Sequence, residues 1–190
     1  MINYYLHKLV WADFDKYKDD IIKYCLDNEK PNTIELNIAS TYKHGMWESK
    51  FNFLEDTDNH AITQLKLWII TSCELFLAEI NETYRRVVIN DSWAHVTRNG
   101  GYHLPHAHCN STWSGILYVT EGDVDMGGKT HWIPPMYIER KPGLEFLRDD
   151  FFFIPEAGSM MIFPSALIHY VDTYHGTSPR ITIAFNSNCF

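Results

Sequence analysis

Apolar residues in the first part of the chain recur at spacings of three and four, and later in short β-branched or aromatic runs. Phe14, Tyr17, Ile21, Tyr24 and Cys25 follow Asp13 at helical spacing, and Glu29-Lys30-Pro31-Asn32 closes the segment. The pattern predicts a helix with Asp13 at its start. Ile62, Leu65, Ile69, Cys73, Phe76 and Ile80 form a clearer stripe behind Asp58 or Asn59, which predicts a second helix. Both stripes read as core-facing surfaces. Beyond Arg86 the period changes. Val87-Val88-Ile89, Trp93-Ala94-His95-Val96, 114–119, 151–154, 160–163 and 181–185 are short apolar runs punctuated by Gly, Pro, Asn and Asp. Repeated short strands at this spacing predict a two-sheet jelly roll or barrel, with the helices covering one outer face.

No repeat, low-complexity tract or linker divides the chain, so residues 1–190 read as one domain. Residues 1–86 would be a mainly helical support region and 87–190 the β core. A length of 190 residues is enough to bury a sizeable core. The formal charge of −8 excludes an extended basic face, and no nucleic-acid partner is expected. Cys25, Cys73, Cys109 and Cys189 are scattered without a CxxC pair, and no basic segment followed by an apolar one comes after Met1. A cytoplasmic protein with reduced thiols is the simplest expectation. The apolar segment from Ile62 to Ile80 is broken by Gln64, Lys66, Glu74 and Glu79, so no membrane span is expected. The oligomeric state is not legible.

The candidate chemistry lies in the second half. In Gly101-Tyr102-His103-Leu104-Pro105-His106-Ala107-His108, two histidines stand at i and i+2. On an extended strand they point to one face, and two imidazoles so placed suit a first-row divalent metal. A third donor should come from another strand, and His169, after Phe163-Pro164-Ser165-Ala166-Leu167-Ile168, is the natural candidate. His103 is the reserve. His95, His131 and His175 read as solvated or hydrogen-bonded side chains. An isolated histidine is more often structural than a ligand, and three of ten can be grouped by chance. Arg180 adds weight: a guanidinium fork holds a carboxylate through two parallel hydrogen bonds, and Thr182 shares its strand face. The competing reading of Arg180 is a surface ion pair at a strand edge.

Taken together, His106-Ala107-His108, Ser114-Gly115-Ile116-Leu117-Tyr118-Val119, Pro155-Glu156-Ala157-Gly158, Phe163 to His169 and Arg180-Ile181-Thr182-Ile183-Ala184-Phe185-Asn186 resemble the 2-oxoglutarate- and Fe(II)-dependent oxygenases. The resemblance is closest to a group of small bacterial and phage members and spans about residues 90 to 187. It implies a double-stranded β-helix with iron at its open end, bound by His106, His108 and His169. It implies that Arg180 takes the distal carboxylate of 2-oxoglutarate, with Thr182 and Tyr118 as further cosubstrate contacts. Asn110 and Ser114 are candidate pocket residues, with strand packing as the alternative. The implied activity is hydroxylation of a small molecule or protein side chain with dioxygen, releasing succinate and CO2.

One departure stands out. Most of the wider superfamily places Asp or Glu where His108 stands, and a neutral imidazole leaves the metal site one unit more positive. A nearby carboxylate, Asp123 or Asp125, is the alternative ligand. Trp113, Trp132, Tyr137 and the 123–135 segment are candidates for an entrance or lid, or for simple packing. Gly127-Gly128-Lys129-Thr130 matches only the end of a phosphate-binding loop; the required first glycine falls at Asp123. Cys109 lacks any activating arrangement. The rival enzyme is a cupin, but no glutamate lies between Cys109 and Ser114 and Arg180 would have no task. The non-enzymatic rival is a jelly-roll binding or phage structural protein.

Overall fold

The computed structural model describes residues 6–29, 45–80, 86–108, 110–133 and 151–190. Helix α1 (Phe14–Asn28) begins after Asp13, whose side chain makes no capping bond, and it buries Phe14, Tyr17, Ile21 and Cys25. Helix α2 (His60–Glu79) is capped by the Asn59 side chain, which accepts from the Ile62 amide at 3.2 Å. The stripe around Ile62, Leu65, Ile69, Cys73 and Phe76 is buried. By length and composition α2 is apolar enough to cross a membrane. Its buried face is instead part of the core shared with the sheet, where each fully buried Ile or Leu contributes about 1.5–3 kcal/mol.

Among the described residues, ten strands form two antiparallel sheets. They are β1 (His7–Val10), β2 (Met46–Glu48), β3 (Val87–Thr97), β4 (His103–His106), β5 (Trp113–Thr120), β6 (Thr130–Ile133), β7 (Phe151–Phe153), β8 (Ser159–Pro164), β9 (Ile168–Val171) and β10 (Arg180–Cys189). The larger sheet runs β1-β8-β5-β10-β3-β2 and the smaller β4-β9-β6-β7. The fold is a double-stranded β-helix with helices against one sheet. The N-terminal region supplies β1 and β2, the two edge strands of the larger sheet. Strands of four and three residues have too few positions to show a period, so hydrophobic pattern alone does not find them.

Alternation along the inner strands sorts the side chains into two populations. On β10, Ile181, Ile183 and Phe185 enter the core beneath the helices, while Arg180, Thr182, Ala184 and Asn186 line a cavity between the sheets. Strand β5 does the same, with Leu117 and Val119 in the helical core and Ser114 and Ile116 on the cavity. Gly115 stands opposite Phe185, and a Cβ there would lie 2.3 Å from its ring, so the Ser-Gly pair makes room for the aromatic. A second apolar cluster of Tyr118, Trp132, Met161, Phe163 and Leu167 packs between the sheets.

Candidate active site

The metal-binding candidates converge. One ligand atom from each of His106, His108 and His169 lies within 4.8 Å of the other two. His106 and His169 face each other across the β4–β9 ladder, with ring centroids 4.3 Å apart. Leu104 O and the His106 Nδ1 are 2.7 Å apart, and Leu167 O and the His169 Nδ1 are 3.0 Å apart. Each Nδ1–H therefore donates to a carbonyl two residues back, which leaves each Nε2 lone pair facing the site. Burial, with the neighbouring imidazoles, pushes His169 down to about 3 and His108 to about 4; burial also lowers His106. All three are neutral at neutral pH, the form that ligates a metal.

His108 lies just past β4, its amide donating to Ser165 O at 2.8 Å. Its Nδ1 is 3.3 Å from Asn186 Nδ2, and that amide also donates to Asp91 at 2.7 Å. Ser114 Oγ donates to Asn186 Oδ1 at 2.6 Å and lies 2.8 Å from Ser165 Oγ. Held by Asp91 on one side and Ser114 on the other, the Asn186 amide sits against His108 Nδ1 and limits the orientations open to the ring. Asn186 is therefore the side-chain partner of the candidate ligand His108. The alternative ligands do not reach the cavity. Asp123 accepts from the Thr177 and Ser178 amides at 2.7 and 3.3 Å, and Asp125 is exposed.

Arg180 forms the other end of the cavity. It is 2 % exposed, its Nε has no hydrogen-bond partner, and no described carboxylate lies within ion-pair distance. Its contacts are the Tyr118 ring, 5.6 Å from Cζ, and a long 3.4 Å bond to Thr130 Oγ1. Burial opposes its charged form. A guanidinium held in this way is a receptor for a carboxylate. The orphaned Nε and the all-imidazole donor set fit 2-oxoglutarate and Fe(II) respectively. The surface ion pair considered for Arg180 is excluded by its burial.

Tyr118 is fully buried, its hydroxyl donating to Thr130 Oγ1 at 2.8 Å, and burial pushes it up to about 12, so it stays a neutral phenol. Thr182 stands opposite Tyr118 on one side and His95 on the other, facing the cavity. Thr130, which joins Tyr118 to Arg180, carried no sequence signal except its place in the rejected phosphate-loop match. The glycines of that match have another use. Gly128 has φ +77°, and a Cβ there would lie 2.9 Å from Arg180 Cδ, so the turn closes over the arginine.

Ser114 lines the cavity, whereas Asn110 is exposed and outside it. Trp113 packs edge-on against Phe76 at 5.1 Å, and Trp132 is buried against Phe163 at 5.5 Å. Neither forms an entrance; both are core aromatics. Tyr137 and Cys109 lie outside the described residues. His131 pairs with Asp172 at 3.4 Å and stacks on Tyr170, and His175 is exposed. Glu48 also gathers with His95 and His103, two residues of the cavity wall, a grouping that becomes visible only in three dimensions.

A double-stranded β-helix holding three converging neutral imidazoles and a buried arginine defines a metal-dependent oxygenase with an anionic cosubstrate. A family profile described as "Putative 2OG-Fe(II) oxygenase" matches residues 91–186, just over half of the chain. The protein belongs to that family, oxidoreductases that use Fe(II), 2-oxoglutarate and dioxygen. A search of curated proteins finds no match. The fold is similar to that of the viral collagen prolyl hydroxylase of Paramecium Bursaria Chlorella virus-1 in its 2OG complex. That pair has 13 % identity and TM-score 0.63, covering 98 % of this chain and 97 % of the other. A Pseudomonas putida prolyl-4-hydroxylase has 14 % identity and TM-score 0.63, over 97 % and 93 %. The α-ketoglutarate-dependent epimerase SnoN from nogalamycin biosynthesis has 12 % identity and TM-score 0.65, over 96 % and 76 %.

Proposed function

We propose that the protein is a dioxygenase, residues 1–190 acting as one domain, that hydroxylates a small-molecule or protein side-chain substrate and releases succinate and CO2. The observation that carries this reading is the buried Arg180, with no carboxylate of the described residues within ion-pair distance, in the same cavity as His106, His108 and His169. A cupin reading leaves that arginine without a function.

His106, His108 and His169 would hold Fe(II) through nitrogen, leaving positions open for cosubstrate and dioxygen. Bound there, iron supplies the oxidising chemistry that couples decarboxylation of 2-oxoglutarate to insertion of oxygen into a substrate C–H bond. Three neutral ligands and a dianionic cosubstrate make the centre formally neutral. Arg180 pairs with the distal carboxylate and fixes the cosubstrate's direction. Thr182 offers a hydroxyl on the cavity wall near that end, while Tyr118, kept protonated by burial, donates to Thr130 and backs the guanidinium with its ring. Thr130 keeps the Tyr118 ring and the guanidinium in register. The apolar wall from Ile116 and Phe163 limits water around the reacting atoms.

Anaerobic addition of Fe(II) followed by 2-oxoglutarate should produce a visible charge-transfer band that requires both. His169→Ala should abolish substrate-coupled succinate formation; full turnover by that variant would reject the assignment. The fold is shared with peptide hydroxylases and with an epimerase, so stimulated succinate release should be screened across peptides, amino acids and small molecules.

A further inference from the structure

A second donor set adjoins the three-histidine cluster without sharing a ligand with it. Glu48 on β2, His95 on β3 and His103 on β4 each place one ligand atom within 4.8 Å of the other two. Glu48 and His95 are direct partners in the β2–β3 register, with Glu48 Oε2 2.8 Å from His95 Nε2. His103 approaches from the opposite sheet, its ring centroid 4.6 Å from that of His95. It reaches that position because β4 is bulged. His106 pairs with His169 and His103 with Val171, three residues on one strand against two on the other. The bulge between His103 and His106 turns positions i and i+3 to one face.

Glu48 has only 11 % of its side chain exposed, and among the described residues no Lys or Arg lies within ion-pair distance. Its partner is an imidazole. A carboxylate taken that far from water requires a cation or strong donors beside it. Two imidazoles and one carboxylate are a donor set for first-row divalent metals. Two ligands bound at about 2.1 Å lie roughly 3.0–3.4 Å apart, so the 2.8 Å Glu48–His95 spacing needs little adjustment.

We propose that Glu48, His95 and His103 form a second divalent-cation site beside His106, His108 and His169. Three protein donors leave further coordination positions, and His95 and His103 line the cavity, so these positions are open to water or to an anionic oxygen of a bound molecule. The neighbouring site and Arg180 are both positive, so the second cation binds more weakly than the first. A carboxylate on Arg180 relieves part of that repulsion.

Equilibrium dialysis of the purified full chain against Co(II) or Zn(II), with metal counted by mass spectrometry, tests this directly. Two equivalents are expected for the wild type. One equivalent is expected for Glu48→Gln and for His103→Ala, with the charge-transfer band of the three-histidine site still formed on Fe(II) and 2-oxoglutarate. One equivalent is also expected for His169→Ala, and none for its combination with Glu48→Gln. Circular dichroism confirms that each variant is folded. A single wild-type equivalent, or a second one indifferent to both Glu48→Gln and His103→Ala, overturns the proposal. The oxygenase reading fails separately, through retention of the charge-transfer band in His169→Ala.

Discussion

Replacing Arg180 with Met should make the resting protein more stable while removing its response to 2-oxoglutarate. The guanidinium is 2 % exposed, has an unpartnered Nε, and faces no described carboxylate within ion-pair distance. Burial of such an ion costs several kcal/mol after relaxation. The contact with Tyr118 at 5.6 Å returns about 0.5–2 kcal/mol, and the 3.4 Å bond to Thr130 adds little. Methionine fills similar length without charge, so the net gain is about 1–3 kcal/mol, which is a rise of roughly 3–10 °C in Tm for a chain of this size. Truncating one partner of a buried charge pair costs about 2–5 kcal/mol in binding, or about 30-fold to several thousand-fold in 2-oxoglutarate affinity. The assay is thermal unfolding of the Zn(II)-loaded protein, where no turnover occurs, with and without cosubstrate. Wild type at a hundredfold excess over its Kd should gain about 2.7 kcal/mol, and the variant at the same concentration less than about 0.9 kcal/mol. A variant less stable than wild type without 2-oxoglutarate, or stabilised by it equally, would refute the carboxylate-receptor reading.

Three further outcomes are expected. In the metal-free protein, unfolded histidines titrate near 6.5, while His169 and His108 are held at about 3 and about 4. The unfolded chain therefore binds more protons over that interval, so stability should fall as pH drops from 6.5 toward 4 and be flat above. Urea titrations at several pH values measure this, and a slope unchanged by His169→Gln would contradict it. Asn186→Ala should weaken metal binding about 10- to 100-fold by freeing the His108 ring; unchanged affinity in an anaerobic Fe(II) competition titration would remove Asn186 from the site. Gly115→Ala drives a Cβ into the fully buried Phe185 ring at 2.3 Å and should cost roughly 1–3 kcal/mol, read as a lower Tm with α-helical content retained.

Period-two alternation makes the active strand legible from its residues alone. In Arg180-Ile181-Thr182-Ile183-Ala184-Phe185-Asn186 the odd positions are apolar and the even ones small or polar, and the fold places the first set under the helices and the second on the cavity. The i, i+2 spacing of His106 and His108 and the apolar run before His169 follow the same rule, as do the stripes of α1 and α2. These are local properties, and backbone geometry alone converts them into faces.

What tertiary structure decided is which faces meet. Arg180 becomes a candidate carboxylate receptor because the sheets bury it beneath the Gly127-Gly128 turn, with Thr130 and the Tyr118 ring beside it. Asn186 becomes the partner of His108 through residues far apart in sequence. Glu48 reaches His95 on a three-residue edge strand, and the bulge between His103 and His106 sets His103 beside them. Register shifts and edge pairings depend on the summed energy of the whole sheet. No local pattern encodes them, so the candidate donor residues and the central strands were readable from the sequence, while the partners of those residues were settled only by folding.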